Sequence, residues 1–268
     1  MLSQFFLHFV FLWLFPSTLV TPENAPPPAT TLRVMSYNIH HCNPPSAAGK
    51  IDVDAIVKTI REAAPDLVAL QEVDVNTQRS GSINQARMIA EALDMEYYFG
   101  KAIDYDGGAY GVAILSKYPI RDEVTYALPT QDGSGGEPRV MATVRVKLPK
   151  RRNMIFASTH LNAQSEDDSR KLQIKRIAEI VLQEDLPMVI AGDFNAEPGS
   201  EVINIMDSFL RRSCIECAPT IPVNSPKRAI DFIAFRPGRD FEVVSHVVIQ
   251  ETYASDHLPV LSVLQYNE

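Results

Sequence analysis

The stretch Met188-Val189-Ile190-Ala191-Gly192-Asp193-Phe194-Asn195 sets a continuous apolar run directly before an Asp and an Asn. A short apolar run of this kind predicts a strand buried on both faces, as in the interior of an α/β protein. A buried strand has no structural use for a carboxylate and an amide at its tip, so such a tip is either a solvated turn or a functional position. Three other strings repeat the pattern: Met35-Ser36-Tyr37-Asn38-Ile39, Leu67-Val68-Ala69-Leu70-Gln71-Glu72-Val73, and Ser255-Asp256-His257-Leu258-Pro259-Val260 near the carboxyl end. One polar tip means little. Four bring carboxylates, amides and an imidazole to strand ends, where an α/β enzyme builds a metal-assisted hydrolytic site.

Working outward, the chain opens as β-α-β. Leu32 to Tyr37 predicts a strand, Val53, Ile56, Val57 and Ile60 recur at helical spacing until Pro65, and Leu67 to Gln71 predicts the next strand. A helix follows over Asn84 to Leu93, then strands over 97–100, 111–115, 124–128, 140–146 and 154–158. The longest helix is expected over Asp167 to Leu182 with Ile174, Ile177, Ala178 and Val181 as its buried stripe. The segment from Asn195 to Ile230 reads as loop with a short helix near Glu201 to Met206. Strands return over 230–235, 241–249 and 258–264. Two sheets packed together and flanked by helices use every one of these elements.

The 268 residues, 46% hydrophobic and 22% charged, suit one large domain. That domain is expected over residues 30–268. Residues 1–21 carry an apolar run, Phe5 to Phe15, which is short for a membrane span and suits a signal-peptide core. No Lys or Arg precedes it and no Ala-x-Ala site follows, so a retained membrane anchor is the alternative. Residues 22–29 form a Pro-rich linker. These features predict a secreted or periplasmic protein, or a membrane-anchored one if the segment is kept.

The formal charge is −8, with only Glu23 among charged residues in the first 29. An acidic chain with no basic stripe argues against an extended nucleic-acid groove and favours small or locally presented phosphodiesters. Lys150, Arg151 and Arg152 read as a solvated hairpin turn. Cys214-x-x-Cys217 has no second ligand pair to complete a zinc site. A local disulfide fits an exported protein, with reduced thiols equally open and Cys42 free. A monomer is expected.

Hydrolysing a phosphodiester needs a hard cation, an activated water in line with the leaving group, and donors that hold the phosphoryl unit. Glu72 is the first metal candidate, since carboxylate oxygen suits Mg²⁺, with Mn²⁺ as the substitute. Asn38 could bind metal or phosphate through its amide. His257 is the candidate for proton transfer. Asp193 and Asn195 lie two apart, so on an extended strand end both side chains face one way. Arg79 and Arg139 are phosphate-binding candidates because a guanidinium holds phosphate bidentately.

The set Asn38, Glu72, His160, Asp193, Asn195, Asp231, Asp256 and His257 resembles the endonuclease/exonuclease/phosphatase superfamily, whose members include deoxyribonuclease I, exonuclease III, neutral sphingomyelinases and inositol polyphosphate phosphatases. The resemblance spans about Leu32 to Leu264 and implies a four-layer α/β-β/α sandwich. It implies that Asp231 orients His257, that Asp256 is a metal ligand, and that His160 and Asn195 meet the phosphate. For Asp193 it implies either a base or a group beside the phosphate. Tyr110 stands one place from a phosphate-binding Tyr of some relatives and reads better as a packed strand residue. Abasic-site endonucleases carry Asp where this chain has His40, which makes a second Mg²⁺ site less suited. His40 and His41 are then phosphate contacts or structural histidines. The missing Arg after Asn195 weakens the inositol phosphatase reading.

The expected activity is a Mg²⁺-dependent phosphodiesterase of nuclease type, with nucleic acid, phospholipid or a small phosphoester as substrate. A phosphomonoesterase and a catalytically silent binding module are the alternatives. The loops 104–108, 130–136 and 219–226 are expected to rim the site.

Overall fold

Side-chain alternation along the strands decides how this chain layers. The computed structural model describes residues 30–238 and 240–266, so the expected leader and linker lie outside the described residues. Strands β1 (Thr30–Asn38) and β2 (Leu67–Val75) run parallel, joined by helix α1 (Val53–Ala63). The Asp52 carboxylate caps α1 by accepting the Ala55 N–H, and Ala64, in the left-handed region, ends it just before Pro65. Helix α2 (Gln85–Leu93) follows, capped by Asn84, and then β3 (Glu96–Tyr105) and β4 (Gly108–Ser116). With β11 (Phe241–Val248) and β12 (Val260–Tyr266) these make a six-stranded sheet in the order β11-β12-β1-β2-β4-β3.

The second sheet repeats the plan. Strands β7 (Asn153–His160) and β8 (Met188–Asp193) are parallel across α3 (Asp168–Gln183). They lie with β5 (Ile120–Leu128), β6 (Arg139–Lys147), β9 (Arg211–Arg212) and β10 (Asp231–Phe235) in the order β5-β6-β7-β8-β10-β9. A short helix, α4 (Glu201–Asp207), precedes β9, a two-residue strand that the sequence pattern does not announce.

Alternate residues of each strand face opposite sides. Leu32, Val34, Leu67, Ala69, Phe156, Val189, Ala191 and Ile233 meet between the sheets. Met35, Tyr37, Val68 and Leu70 face α1 and α2, while Ile155, Ile190 and Phe232 face α3 and α4. The result is the expected four-layer α/β-β/α sandwich. Truncating the fully buried Phe156 to Ala would cost about 3–5 kcal/mol through the cavity left behind.

The inter-sheet layer turns polar toward one edge. By the same alternation, Leu32 and Val34 lead to Ser36 and Asn38, Phe156 leads to Ser158 and His160, and Val189 and Ala191 lead to Asp193. Gln71 Nε2 donates to Ser158 Oγ across the sheets at 3.4 Å, marking where the core gives way to the site.

Two expectations need correction. Glu72 is not a strand tip, because β2 continues past it to Val75. Asp104 and Tyr105 belong to β3, whose hairpin to β4 turns tightly through Asp106 and Gly107, so this rim is a hairpin rather than a loop.

Candidate active site

Asp193 is the last residue of β8 and lies 1% exposed. Its Oδ1 accepts the backbone N–H of Asn195 at 2.8 Å, and Asn195 adopts φ 48°. The two side chains therefore converge through a left-handed turn, not along an extended strand as the two-residue spacing suggests. Asn and Asp tolerate this region because their short polar side chains bond the local backbone. Asp193 Oδ2 accepts from Asn38 Nδ2 at 3.2 Å and lies 3.5 Å from His160 Nε2 and 3.7 Å from His257 Nε2.

His257 reaches in from the loop before β12. Its Nδ1 donates to Asp231 Oδ2 at 2.9 Å, and Thr220 donates to the same oxygen. Asp231 opens β10 directly opposite Asp193 in the antiparallel register. Burial works against a charged His257, but the Asp231 and Asp193 carboxylates outweigh it and push the imidazole up to about 10. Asp193 moves up from the ordinary carboxylate range, through burial first and the Asp231 charge second.

Glu72 owes its position to a β-bulge. The pairing of β2 with β4 slips between Leu70 and Val73, and Glu72 itself has φ 56°. Alternation alone would send its side chain outward with Leu70; a bulge re-aims it. Glu72 Oε1 accepts from Asn38 Nδ2 at 3.1 Å, so one amide bridges Glu72 and Asp193. The Asn38 oxygen accepts from the His40 N–H at 3.1 Å. Glu72 Oε2 lies 3.9 Å from His41 Nδ1, a buried nitrogen with no hydrogen-bond partner. Burial raises the Glu72 carboxyl, yet the His41 side chain and the Asn38 amide hold it well below the ordinary carboxylate range.

On the far side of Asp193, His160 Nδ1 accepts from Arg139 Nη1 at 3.3 Å, and the Asn195 amide lies 3.0 Å from Nε2. Burial and the Arg139 charge keep His160 neutral, well below its ordinary value. Arg139 is itself buried, with Nη2 3.4 Å from Glu137. Arg79 is held bidentately by Asp74 at 2.7 and 2.8 Å and lies 4.4 Å over the Tyr105 ring. Arg79, Tyr105, Tyr110, Glu137 and Glu72 line a depression of about 150 Å³. Larger depressions, of about 230 and 450 Å³, open elsewhere and are lined by none of the candidate residues.

The structure thus gathers Asn38, Glu72, His160, Asp193, Asn195, Asp231, His257 and Arg139 at one edge, with Arg79 sharing the Glu72 depression. Asp256 adjoins His257 and adds to the charge that raises it. Its carboxylate accepts from Ser255 Oγ at 3.4 Å, and it belongs to neither of the groupings among the described residues that could hold a metal, His40–His41–Glu72 and Asp193–Asp231–His257. Sequence reasoning did not pick out Tyr105, Glu137 and Thr220 individually. Tyr105 and Thr220 fall inside the expected rim segments, while Tyr110, read as a packed strand residue, is buried and also lines the depression. An ionised, partly exposed Glu72 with one oxygen lacking a donor fits a divalent cation. Cys214 and Cys217 form the expected local disulfide and Cys42 is free and buried. Among the described residues no helix is long and apolar enough to cross a membrane.

The chain is 25% identical over 216 residues to the uncharacterized protein YbhP of Escherichia coli K12, an alignment covering 75% of this chain and 83% of YbhP. It superposes on an endonuclease/exonuclease/phosphatase of Beutenbergia cavernae with a TM-score of 0.76 at 26% identity, covering 88% of this chain and 72% of the other. A family protein of Bacteroides thetaiotaomicron has the same fold, with a TM-score of 0.75 at 20% identity over 90% of this chain and 99% of the other. Residues 35–257, which run from the middle of β1 to His257 and enclose the polar edge of both sheets, match the endonuclease/exonuclease/phosphatase family, and the chain belongs to that family of phosphoester hydrolases.

Proposed function

We propose that this protein is a divalent-metal-dependent phosphodiesterase of nuclease-like chemistry that acts outside the cytoplasm. The observation that carries the reading is the placement of Asp193, which lies between the Asn38–Glu72 pair and the His257–Asp231 pair. Carboxylates whose surroundings drive their proton affinities apart divide acid and base work between them.

Glu72 and Asn38 would hold the cation, with Asp256 as a further candidate ligand, and a bound cation would neutralise charge on the phosphoryl oxygens. The side chains do the rest. Asp193, raised toward neutral pH, takes the proton of the attacking water. His257 is charged at neutral pH and so is unsuited to be a base; it gives its own Nε2 proton to the leaving oxygen, while Asp231 accepts from Nδ1–H and fixes the ring. His160, Asn195 and Arg139 form the phosphate side. Arg79 lines the entrance.

The net acidity and the small depression at Glu72 support a small or locally presented diester over duplex bound in a long groove. The Cys214–Cys217 disulfide supports an oxidising compartment, in keeping with an amino-terminal export signal. A monomer fits this reading.

The deciding experiment is hydrolysis of bis-p-nitrophenyl phosphate against p-nitrophenyl phosphate with Mg²⁺, Mn²⁺ or EDTA. Cleavage of the diester that EDTA abolishes is the expected result and leads on to DNA, RNA and sphingomyelin. Preference for the monoester would reassign the protein as a phosphatase, and silence on all five substrates would favour the binding-module alternative.

A further inference from the structure

The segment His40-His41-Cys42 holds three consecutive non-glycine residues at positive φ: 45°, 42° and 57°. Such backbone is unfavourable for L-residues and persists only where the surroundings over-determine it, often at ligand clamps. Here the restraints are explicit. The His40 N–H donates to Asn38 Oδ1 at 3.1 Å, Gln85 Nε2 donates to the His41 carbonyl at 2.7 Å, and the Asp52 N–H donates to the Cys42 carbonyl at 2.7 Å. The buried Cys42 side chain anchors the turn from below.

The consequence of this turn is where the two rings go. His40 Nδ1 lies 2.8 Å from the Asn43 carbonyl, an acceptor only, so Nδ1 is the donor there and Nε2 is the nitrogen left to ligate. Metal-ligating histidines are oriented in this way, with the second nitrogen donating to a backbone carbonyl or carboxylate. His41 Nδ1 is buried, has no hydrogen-bond partner, and faces Glu72 Oε2 at 3.9 Å. That is too long for a hydrogen bond and is near the separation of two ligands on opposite sides of one ion, whose bonds are about 2.1 Å each. His40, His41 and Glu72 offer ligand atoms that all lie within 4.8 Å of one another, a spacing that could hold one ion.

We propose that His40 and His41 join Glu72 as ligands of the active-site cation, so that this site selects a transition-metal ion such as Mn²⁺ over Mg²⁺. The inference rests on the reading of Glu72 as a metal ligand. Two imidazoles and one carboxylate form a donor set that Mg²⁺, which favours oxygen and retained water, uses poorly. Among the described residues none forms a hydrogen bond with His41 Nδ1.

The test is direct binding to the full chain after EDTA treatment and removal of the chelator. Mn²⁺ is followed by electron paramagnetic resonance, with Mg²⁺ as competitor, and the bound ion is examined for ¹⁴N electron spin echo modulation. Most nitrogen-bearing sites favour Mn²⁺ over Mg²⁺ to some degree, so the dependence of the ratio on the histidines is the deciding quantity. The expected result is bound Mn²⁺ with ¹⁴N coupling, and a Mn²⁺-over-Mg²⁺ preference that falls at least about tenfold in His41→Asn and in His40→Asn, with Mg²⁺ affinity little changed. Asn is chosen because it tolerates positive φ. The echo measurement on the unaltered chain does not depend on the variants folding. Bound Mn²⁺ without ¹⁴N coupling, or no bound Mn²⁺, overturns the proposal. Nitrogen-coupled Mn²⁺ in a protein that hydrolyses no phosphoester would leave the metal site standing and remove the proposed function.

Discussion

The two parallel β-α-β units of this molecule end alike and behave oppositely. In one, Asn38 at the end of β1 lies beside Gln71 of β2; in the other, His160 at the end of β7 lies beside Asp193 of β8. The second unit puts its carboxylate at that register position, 1% exposed. The first puts it one residue later, where a bulge turns Glu72 toward the surface with 24% of its side chain exposed. Glu72 is held ionised by His41 and Asn38, whereas Asp193 is driven toward protonation by burial and Asp231. Chemically similar groups near corresponding register positions thus acquire opposite proton affinities from one inserted residue and from which neighbours reach them.

The sharpest way to break this division is Asp193→Asn. If Asp193 is the base, turnover falls about 10³-fold with the fold kept; a rate within a few-fold of wild type would make it a structural acid. His257→Ala comes next, with at least about a 10²-fold loss in kcat, and an unchanged rate would pass proton transfer to another group. Glu72→Gln should lower activity about as much but through the other half: the metal concentration needed for half-maximal rate rises, while a metal dependence identical to wild type removes Glu72 from the cation site.

The smallest effect is thermal and tests both halves together in EDTA. Asp193 has a raised carboxyl, so the folded state loses stability as pH climbs from about 4, the unfolded value, through the folded one. Asp193→Asn should therefore gain a few °C in Tm relative to wild type at pH 8 compared with pH 4. Glu72 has a lowered carboxyl, so its contribution is present above its unfolded value near about 4.3 and is lost as pH falls. Glu72→Gln should cost a few °C at pH 7, with the cost shrinking at pH 3. The same pH trend in both variants would dissolve the distinction drawn between the two carboxylates.

Much of this was legible in the chain. The runs ending at Asn38 and Asp193 place polar groups on buried strands, and burial of such groups is costly without partners, so their presence signals a site. The β-α-β openings and the helix over α3 followed from period alone. Other residues escaped because their signal is not local. Thr220 matters through one hydrogen bond to Asp231, and Glu137 and Tyr110 through packing on Arg139 and the Glu72 depression. Asp256, adjacent to His257 in sequence, is in neither of the ligand groupings found among the described residues.

By itself the sequence determined the layering and the identity of the polar strand ends, since apolar periodicity dictates which faces are buried and therefore where an Asn, a His or an Asp is exceptional. Tertiary structure alone decided the chemistry assigned to each. The bulge at Glu72, the left-handed turns at His40–Cys42 and Asn195, and the opposition of Asp231 to Asp193 are backbone outcomes of packing two sheets together. Proton affinity and metal preference depend on groups a few ångströms away in space, and those groups come from elements tens of residues apart, up to the 155 that separate Asn38 from Asp193.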